Sequence, residues 1–84
     1  MSGRTAPQPI RPFSLDFGPL VQLRRFRGYT QAEVARAAGI HPITLWRLEN
    51  NKHKSPSLKQ LIAIGRALGV PYGELYVVTE ATAV

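Results

Sequence analysis

The chain contains no cysteine in its 84 residues, which excludes a disulfide framework and any metal site built on thiolates. It has no apolar run near the roughly 18 residues that a membrane span needs, and no apolar block of the signal-peptide kind near its N-terminus. A chain of this length has room for one domain, whose core must consist of packed aliphatic side chains. We therefore expect a cytoplasmic protein that has no membrane partner.

Acidic residues are also scarce: five Asp and Glu stand against eleven Lys and Arg, which gives a formal net charge of +6. Most of the basic residues lie between positions 24 and 59. A positive field over the middle of the chain favours a polyanionic partner such as nucleic acid.

Groups that could carry catalysis are missing as well. The sequence has no glycine-rich phosphate loop and no pair of carboxylates with a histidine nearby. His41 and His53 lie outside the register that places two ligands on one helical turn, so we expect no metal site. The sequence therefore predicts a protein that is not an enzyme and uses neither a cofactor nor a metal.

Three segments of the chain differ in composition. Residues 1–13 combine three prolines with small polar residues and are predicted to form a flexible arm. Residues 14–76 carry helical patterns and form the predicted domain. Residues 77–84 are apolar and small without a helical period, which leaves open a tail, a short strand or a dimer-contact segment.

Helix-start signals recur five times between residues 14 and 76. Two have the spacing of a capping box, a Ser or Thr followed three residues later by Glu or Gln, and two are prolines suited to a first helical turn. The predicted starts are Asp16, Thr30, Pro42, Ser57 and Pro71, and the first helix is expected to run to about residue 27. We predict an all-α fold, a compact bundle of about five helices.

Apolar residues at helical spacing mark the predicted core side of each helix. Gly39 interrupts this pattern and predicts a tight turn of about three residues between the second and third helices. Two helices joined in this way form a helix-turn-helix, in which the first braces the DNA backbone and the second reads bases. The predicted core positions are Leu20, Leu23, Val34, Ala35, Ala38, Leu45, Leu48, Leu58, Leu61, Ile62, Gly65, Leu68 and Leu75.

Three motifs keep fixed spacing between residues 30 and 64 without an insertion. They are Thr30-Gln31-x-x-Val34-Ala35-x-x-x-Gly39-Ile40, Thr44-Leu45-x-Arg47-Leu48-Glu49-Asn50 and Pro56-Ser57-x-x-x-Leu61-x-x-Ile64. Over about residues 17–76 the sequence resembles the Cro and phage-repressor type of helix-turn-helix domain, the family called XRE or lambda-repressor-like. The resemblance implies a lambda-repressor-like fold and a bacterial or phage-like protein whose partner is double-stranded DNA.

The resemblance also implies roles for individual residues. Arg24 and Glu49 match a partly buried ion pair between the first and third helices, whose role is structural. The base-reading positions are Pro42, Ile43, Thr44 and Arg47, of which Arg47 is suited to a bidentate contact with guanine. The positions expected at the DNA backbone are Gln31, Trp46, Asn50, Lys52 and Lys54.

The chain departs from the family pattern at several positions. The third helix opens with His41-Pro42-Ile43 instead of a Ser or Thr cap and polar readers, which leaves fewer hydrogen-bonding groups for bases and favours apolar or shape readout. Trp46 stands where a small polar residue is usual, either exposed beside DNA or packed in the core. Asn51 stands where glycine is common. Gly65 replaces a more usual alanine, which is unfavourable within a helix unless close packing requires it.

Two classes of function remain. The first is a sequence-specific transcription regulator, a repressor or controller protein, that binds DNA as a homodimer with the third helix in the major groove. Its dimer contact is expected at the apolar end formed by Leu75, Tyr76, Val77 and Val78. The alternative is an antitoxin-like or coactivator-like protein-interaction module on the same fold. The basic residues after the third helix favour the first class.

Overall fold

The computed structural model of the protein describes residues 13–53 and 56–80, which are mostly helical. The elements are β1 (Phe13–Asp16), α1 (Gly18–Phe26), α2 (Gln31–Ala38), α3 (Pro42–Glu49), α4 (Leu58–Leu68), a 3₁₀-helix (Tyr72–Glu74) and β2 (Val77–Glu80). The helical bundle is confirmed, with a 3₁₀-helix of three residues in place of the predicted fifth helix. None of the helices in these residues is both long and apolar enough to cross a membrane.

A two-stranded antiparallel sheet joins the two ends of the described chain. Phe13 in β1 lies opposite Glu80 in β2. A strand is one of the predicted alternatives for residues 77–84, and β2 confirms it for the part described. β1 is not predicted, because four residues beside a proline-rich arm are too few to show an alternating pattern. Most of the predicted arm (1–12) and the end of the predicted tail (81–84) lie outside the described residues.

Side-chain caps fix the starts of α2 and α4 as predicted. The Thr30 hydroxyl accepts a hydrogen bond from the Glu33 amide at 3.1 Å, and the Glu33 carboxylate accepts one from the Thr30 amide at 2.8 Å. Ser57 and Gln60 form the same reciprocal pair at the start of α4. The capping boxes read from the sequence are therefore confirmed.

α1 begins at Gly18, later than its predicted start near Asp16. Asp16 ends β1, but its carboxylate Oδ1 accepts a hydrogen bond from the Gly18 amide at 3.1 Å, so it supports the helix start from outside. Phe17, between them, is buried and belongs to the core. It is not among the predicted core positions because it lies outside the helical repeat of α1.

The core consists of one side of each α-helix together with Phe17 and Leu75. The prediction for Leu58 is wrong, since this side chain is 55% exposed. A helical side chain covers the turn that precedes it, and Leu58 is the first residue of α4. Ile64, absent from the predicted core face, is fully buried. The buried hydrophobic residues are Phe17, Leu20, Val34, Ala35, Leu45, Leu48, Leu61, Ile64, Leu68 and Leu75.

Gly65 lets the chain after α4 turn back against that helix. A Cβ atom at position 65 would lie 2.7 Å from the Val70 carbonyl oxygen and 3.2 Å from the Tyr72 Cα. The Val70 amide donates a hydrogen bond to the Gly65 carbonyl at 2.9 Å. Close packing against Val70 and Tyr72 is therefore the reason that glycine is favourable at this helical position.

Candidate nucleic-acid interface

α2 and α3 form the predicted helix-turn-helix. Gly39 ends α2 with a φ of 71°, the left-handed conformation predicted for it, and the Ile40 amide donates to the Ala35 carbonyl at 2.9 Å. α3 begins at Pro42 as predicted. The short turn fixes α3 against α2, so one helix can brace a duplex while the other enters a groove.

His41 supplies a cap for α3 that the capping rules for Ser, Thr, Asp and Asn do not predict. Its ring Nδ1 accepts a hydrogen bond from the Ile43 amide at 3.1 Å. The imidazole thus satisfies one of the free amides at the start of the helix, as a Ser or Thr hydroxyl would. The signal available in the sequence was the position of His41 directly before a proline that opens a helix.

The outward side of α3 brings together three of the four predicted base-reading residues. Pro42, Ile43 and Arg47 are exposed, whereas Leu45 and Leu48 on the opposite side are fully buried. Trp46 is 41% exposed and lies on the outward side too, which decides against its packing in the core.

Thr44, the fourth predicted base-reading residue, occupies a different position. It is half-buried and lines a groove with His41, Lys59 and Gln60, between α3 and the start of α4. Thr44 therefore lies at the margin of the exposed side and presents less of its side chain than Ile43 or Arg47.

The predicted ion pair between α1 and α3 is present and is part of a larger network. Arg24 Nε and Nη2 donate to the two carboxylate oxygens of Glu49 at 2.6 and 2.8 Å, and Nη1 donates to the Tyr29 carbonyl at 2.9 Å. Hydrogen bonding to Glu49 raises the pKa of Arg24 above its ordinary value. The two side chains are only 10% and 4% exposed, so their role in this structure is to hold α3 against α1.

Gln31, predicted at the DNA backbone, also belongs to this network. Its side-chain Nε2 donates to Glu49 Oε1 at 2.8 Å. Gln31 is the first residue of α2, where backbone amides without helical partners attract anions. Its side chain is thus held at the helix end where a phosphate contact is expected.

The chain after α3 carries the other residues predicted at the DNA backbone. Asn50 is exposed, but its side-chain amide donates to the Trp46 carbonyl at 2.8 Å and so closes the end of α3. Lys52 is exposed, and its backbone amide donates to the Arg47 carbonyl at 2.7 Å. Lys54 lies outside the described residues.

Asn51 links the end of α3 to the start of α1. Its φ is 56°, in the left-handed region, and its side-chain Oδ1 accepts a hydrogen bond from the Phe17 amide at 3.1 Å. Its Nδ2 lies 3.4 Å from Asp16 Oδ1, to which it donates. The sequence shows only that a residue that tolerates positive φ and adds an amide stands where glycine is usual.

The predicted dimer contact has to be corrected at one residue. Leu75 is fully buried in the core and has no surface for a partner. Tyr76 is half-buried, with its ring centroid 5.6 Å from that of Phe17. Val77 and Val78 in β2 are 48% and 61% exposed. The apolar surface at this end of the molecule therefore belongs to β2.

Several known proteins are similar to this chain. A family model described as Helix-turn-helix matches residues 20–75. The structure of SinR, a master regulator for biofilm formation, in complex with DNA is 30% identical with a TM-score of 0.63, over 68% of this chain and 93% of that one. The clp gene regulator ClgR from C. glutamicum is also 30% identical, with a TM-score of 0.59, over 68% and 73% of the two chains.

A third solved structure extends the likeness of fold beyond the helices. The transcriptional regulator VanUg has a TM-score of 0.74 at 21% identity, over 92% of this chain and 100% of that one. SinR, which is from Bacillus subtilis, has also been solved in a complex with SinI protein. No curated protein sequence matches this chain.

Proposed function

Because this chain belongs to the XRE-type helix-turn-helix family of DNA-binding transcription regulators, we propose that it is a repressor or controller protein that recognises specific duplex sequences with α3. One observation carries the proposal: Arg47 projects from the exposed side of α3, next to a basic segment that contains Lys52. A cation on the inserted helix can read a base, while a cation beside it neutralises phosphate.

Each group in this interface has a distinct part in the proposed mechanism. Arg47 donates two hydrogen bonds to O6 and N7 of a guanine in the major groove. Lys52 and the backbone amides at the start of α2 bind phosphates and set the orientation of the protein. The Arg24 and Glu49 pair acts indirectly, since it fixes α3 to the rest of the domain.

We further propose that the protein acts as a homodimer. Two copies related by a two-fold axis would place their α3 helices about 34 Å apart, which is one turn of B-DNA, and would favour a near-palindromic operator. The exposed side chains of Val77 and Val78 in β2 support a contact through this strand.

Selection of bound duplexes from a fully randomised DNA pool tests the proposal directly. We would select at about 150 mM salt, where nonspecific attraction to phosphate is strongly screened. The expected result is an enriched palindrome whose half-sites are centred about one helical turn apart. Absence of enrichment with folded protein would contradict sequence-specific recognition.

A protein-interaction role is the second candidate. Phe26, at the end of α1, is 88% exposed, and aromatic side chains of this kind are enriched in protein–protein interfaces. The complex of SinR with SinI shows that a relative forms a protein complex. A protein whose only role is interaction would bind all duplexes weakly and alike, so the same selection separates the two candidates.

A further inference from the structure

The outward side of α3 has few groups that can hydrogen-bond to a base. Pro42, Ile43 and Trp46 contribute apolar surface, and the last two are 44% and 41% exposed. The side-chain amide of Asn50 is already bonded to the Trp46 carbonyl. Among the exposed residues of α3, only Arg47 carries a charge. We refer to Pro42, Ile43 and Trp46 together as the apolar reading face.

The chemistry of the major groove limits what an apolar reading face can recognise. Base edges there present nitrogen and oxygen acceptors, amino donors and one apolar group, the C5 methyl of thymine. Polar edges pressed against Pro42, Ile43 or the flat ring faces of Trp46 would lose water without gaining a hydrogen bond. A thymine methyl group loses nothing on the same burial and gains contact area.

The charges around the apolar reading face favour DNA over a protein as its occupant. Arg47 borders the face within α3, and Lys52 follows at the end of the helix. The protein as a whole carries a net charge of +6. A DNA groove flanked by phosphates complements an apolar strip that is bordered by cations. An apolar protein surface would leave those cations without a counter-charge.

We propose that the apolar reading face recognises the 5-methyl groups of thymine, with Ile43 and Trp46 making the methyl contacts. Trp46 would then contact a base and not the DNA backbone, the role that the family resemblance implies for it. Each half-site would then hold one or two thymines beside the guanine that Arg47 reads. This inference rests on the proposed function, because it requires α3 to lie in the major groove.

Replacing thymine by uracil in the selected operator tests methyl recognition with a change of one methyl group. Deoxyuridine keeps the base pair and the O4 acceptor. We expect replacement at the recognised positions to weaken binding about fourfold per methyl, the effect of losing one buried carbon group. Replacement outside the half-sites serves as the control and should change nothing.

Variants of the protein then assign the methyl contact to its residue. Ile43→Ala should weaken binding to the thymine operator and make at least one uracil replacement neutral, since the contact is already gone. Phe26→Ala, which removes an exposed apolar side chain from α1, should keep the full response to uracil. Thermal unfolding of each variant would verify that it is folded.

Three outcomes would overturn the inference, and each differs from failure of the proposed function. The wild-type protein could bind the uracil operator as tightly as the thymine operator. Ile43→Ala and Trp46→Ala could still lose as much affinity as the natural protein when uracil replaces thymine, which would mean that the effect of the methyl group acts through DNA shape. Ile43→Ala could instead reduce self-association and leave uracil sensitivity intact, which would make the face a protein contact. The proposed function itself fails only if no operator is selected.

Discussion

Glu49 shows how much one side chain can organise in a small domain. Its carboxylate accepts hydrogen bonds from Arg24 in α1 and Gln31 in α2, although the residue itself lies in α3. Three helices therefore meet at one buried charge. Removing one partner would leave the others charged or polar without compensation, which is costly in a buried site. The network fixes the orientation of α3 relative to α1 and α2.

Substitutions at Arg47 and Lys52 should separate base recognition from phosphate attraction. Arg47→Ala is expected to cost about 1–3 kcal/mol in operator binding and to relax discrimination at one base pair per half-site. Lys52→Ala should weaken binding to all sequences alike and reduce the slope of log K against log salt by about one. Each variant is the control for the other in binding titrations at several salt concentrations. Unchanged sequence preference in Arg47→Ala would contradict its role as a base reader.

Residue patterns in the sequence predicted the parts of the site that follow local rules. The capping box of Thr30 and Glu33 and the turn at Gly39 are fixed by short-range chemistry, so their spacing was sufficient. The His41 cap was not predictable by rule, because histidine is an uncommon cap. The Asn51 link was not predictable either, since its partners lie 34 and 35 positions earlier and only the folded chain brings them together.

At the scale of elements, the packing of α4 against the following segment depends on Gly65. Gly65→Ala should destabilise the protein by about 1–3 kcal/mol, the usual effect of overpacking, despite alanine's higher helix propensity. The reason is that the new methyl group would meet backbone atoms of Val70 and Tyr72, which cannot rotate away. Urea unfolding measures the change. Gly69, with a φ of 74°, is a poor control, so Gly73, whose Cβ would meet nothing, is used instead. A stabilised Gly65→Ala variant would show that the contact is readily relieved.

The link from α3 to the start of α1 can be tested at Asn51. Asn51→Gly keeps a residue suited to positive φ but removes the bonds to Phe17 and Asp16. Because the Phe17 amide loses its partner, we expect a loss of about 1 kcal/mol in unfolding free energy. Asn51→Ala should lose about 1–2 kcal/mol more, since alanine resists the left-handed conformation. If Asn51→Gly were more stable than the natural protein, the side-chain bonds would contribute nothing.

The lengths of the helices and strands explain why the helices could be predicted from the sequence and the sheet could not. The helices of this protein have capping residues and a helical spacing of apolar residues, both of which are visible in the sequence. β1 and β2 are four residues each, and their pairing spans nearly the whole described chain. No local pattern reports a partner at that separation, so the sheet and the burial of Phe17 beside it emerge only from the fold.

At the scale of the whole molecule, the exposed apolar side chains of β2 lie on one of the two strands of the sheet. Each strand of a two-stranded sheet has an outer edge, and exposed edges with apolar side chains readily pair with another chain. Leu75 and Tyr76 anchor this end to the core from within. Val77 and Val78 project from opposite faces of β2 and are both exposed, so a second copy that pairs with the outer edge of this strand could contact both.

Val78→Lys should weaken the proposed dimer without unfolding the monomer. Val78 is 61% exposed, so the substitution should change the stability of the monomer little. Two lysines that face each other across a two-fold axis would repel each other and would have to give up their hydration. Sedimentation equilibrium should show a shift towards monomer. Binding to a full palindrome should become more dependent on protein concentration, while binding to a single half-site should not weaken.

Leu58→Lys is the matched control for this experiment, because it adds the same charge at a comparably exposed apolar position in α4. Both variants raise the net charge equally, so net charge alone does not distinguish them. Only Val78→Lys should lose the higher affinity for the full palindrome relative to the single half-site. If both variants self-associate as the natural protein does, the two copies do not meet through β2, and the spacing of the selected half-sites must be set by another surface.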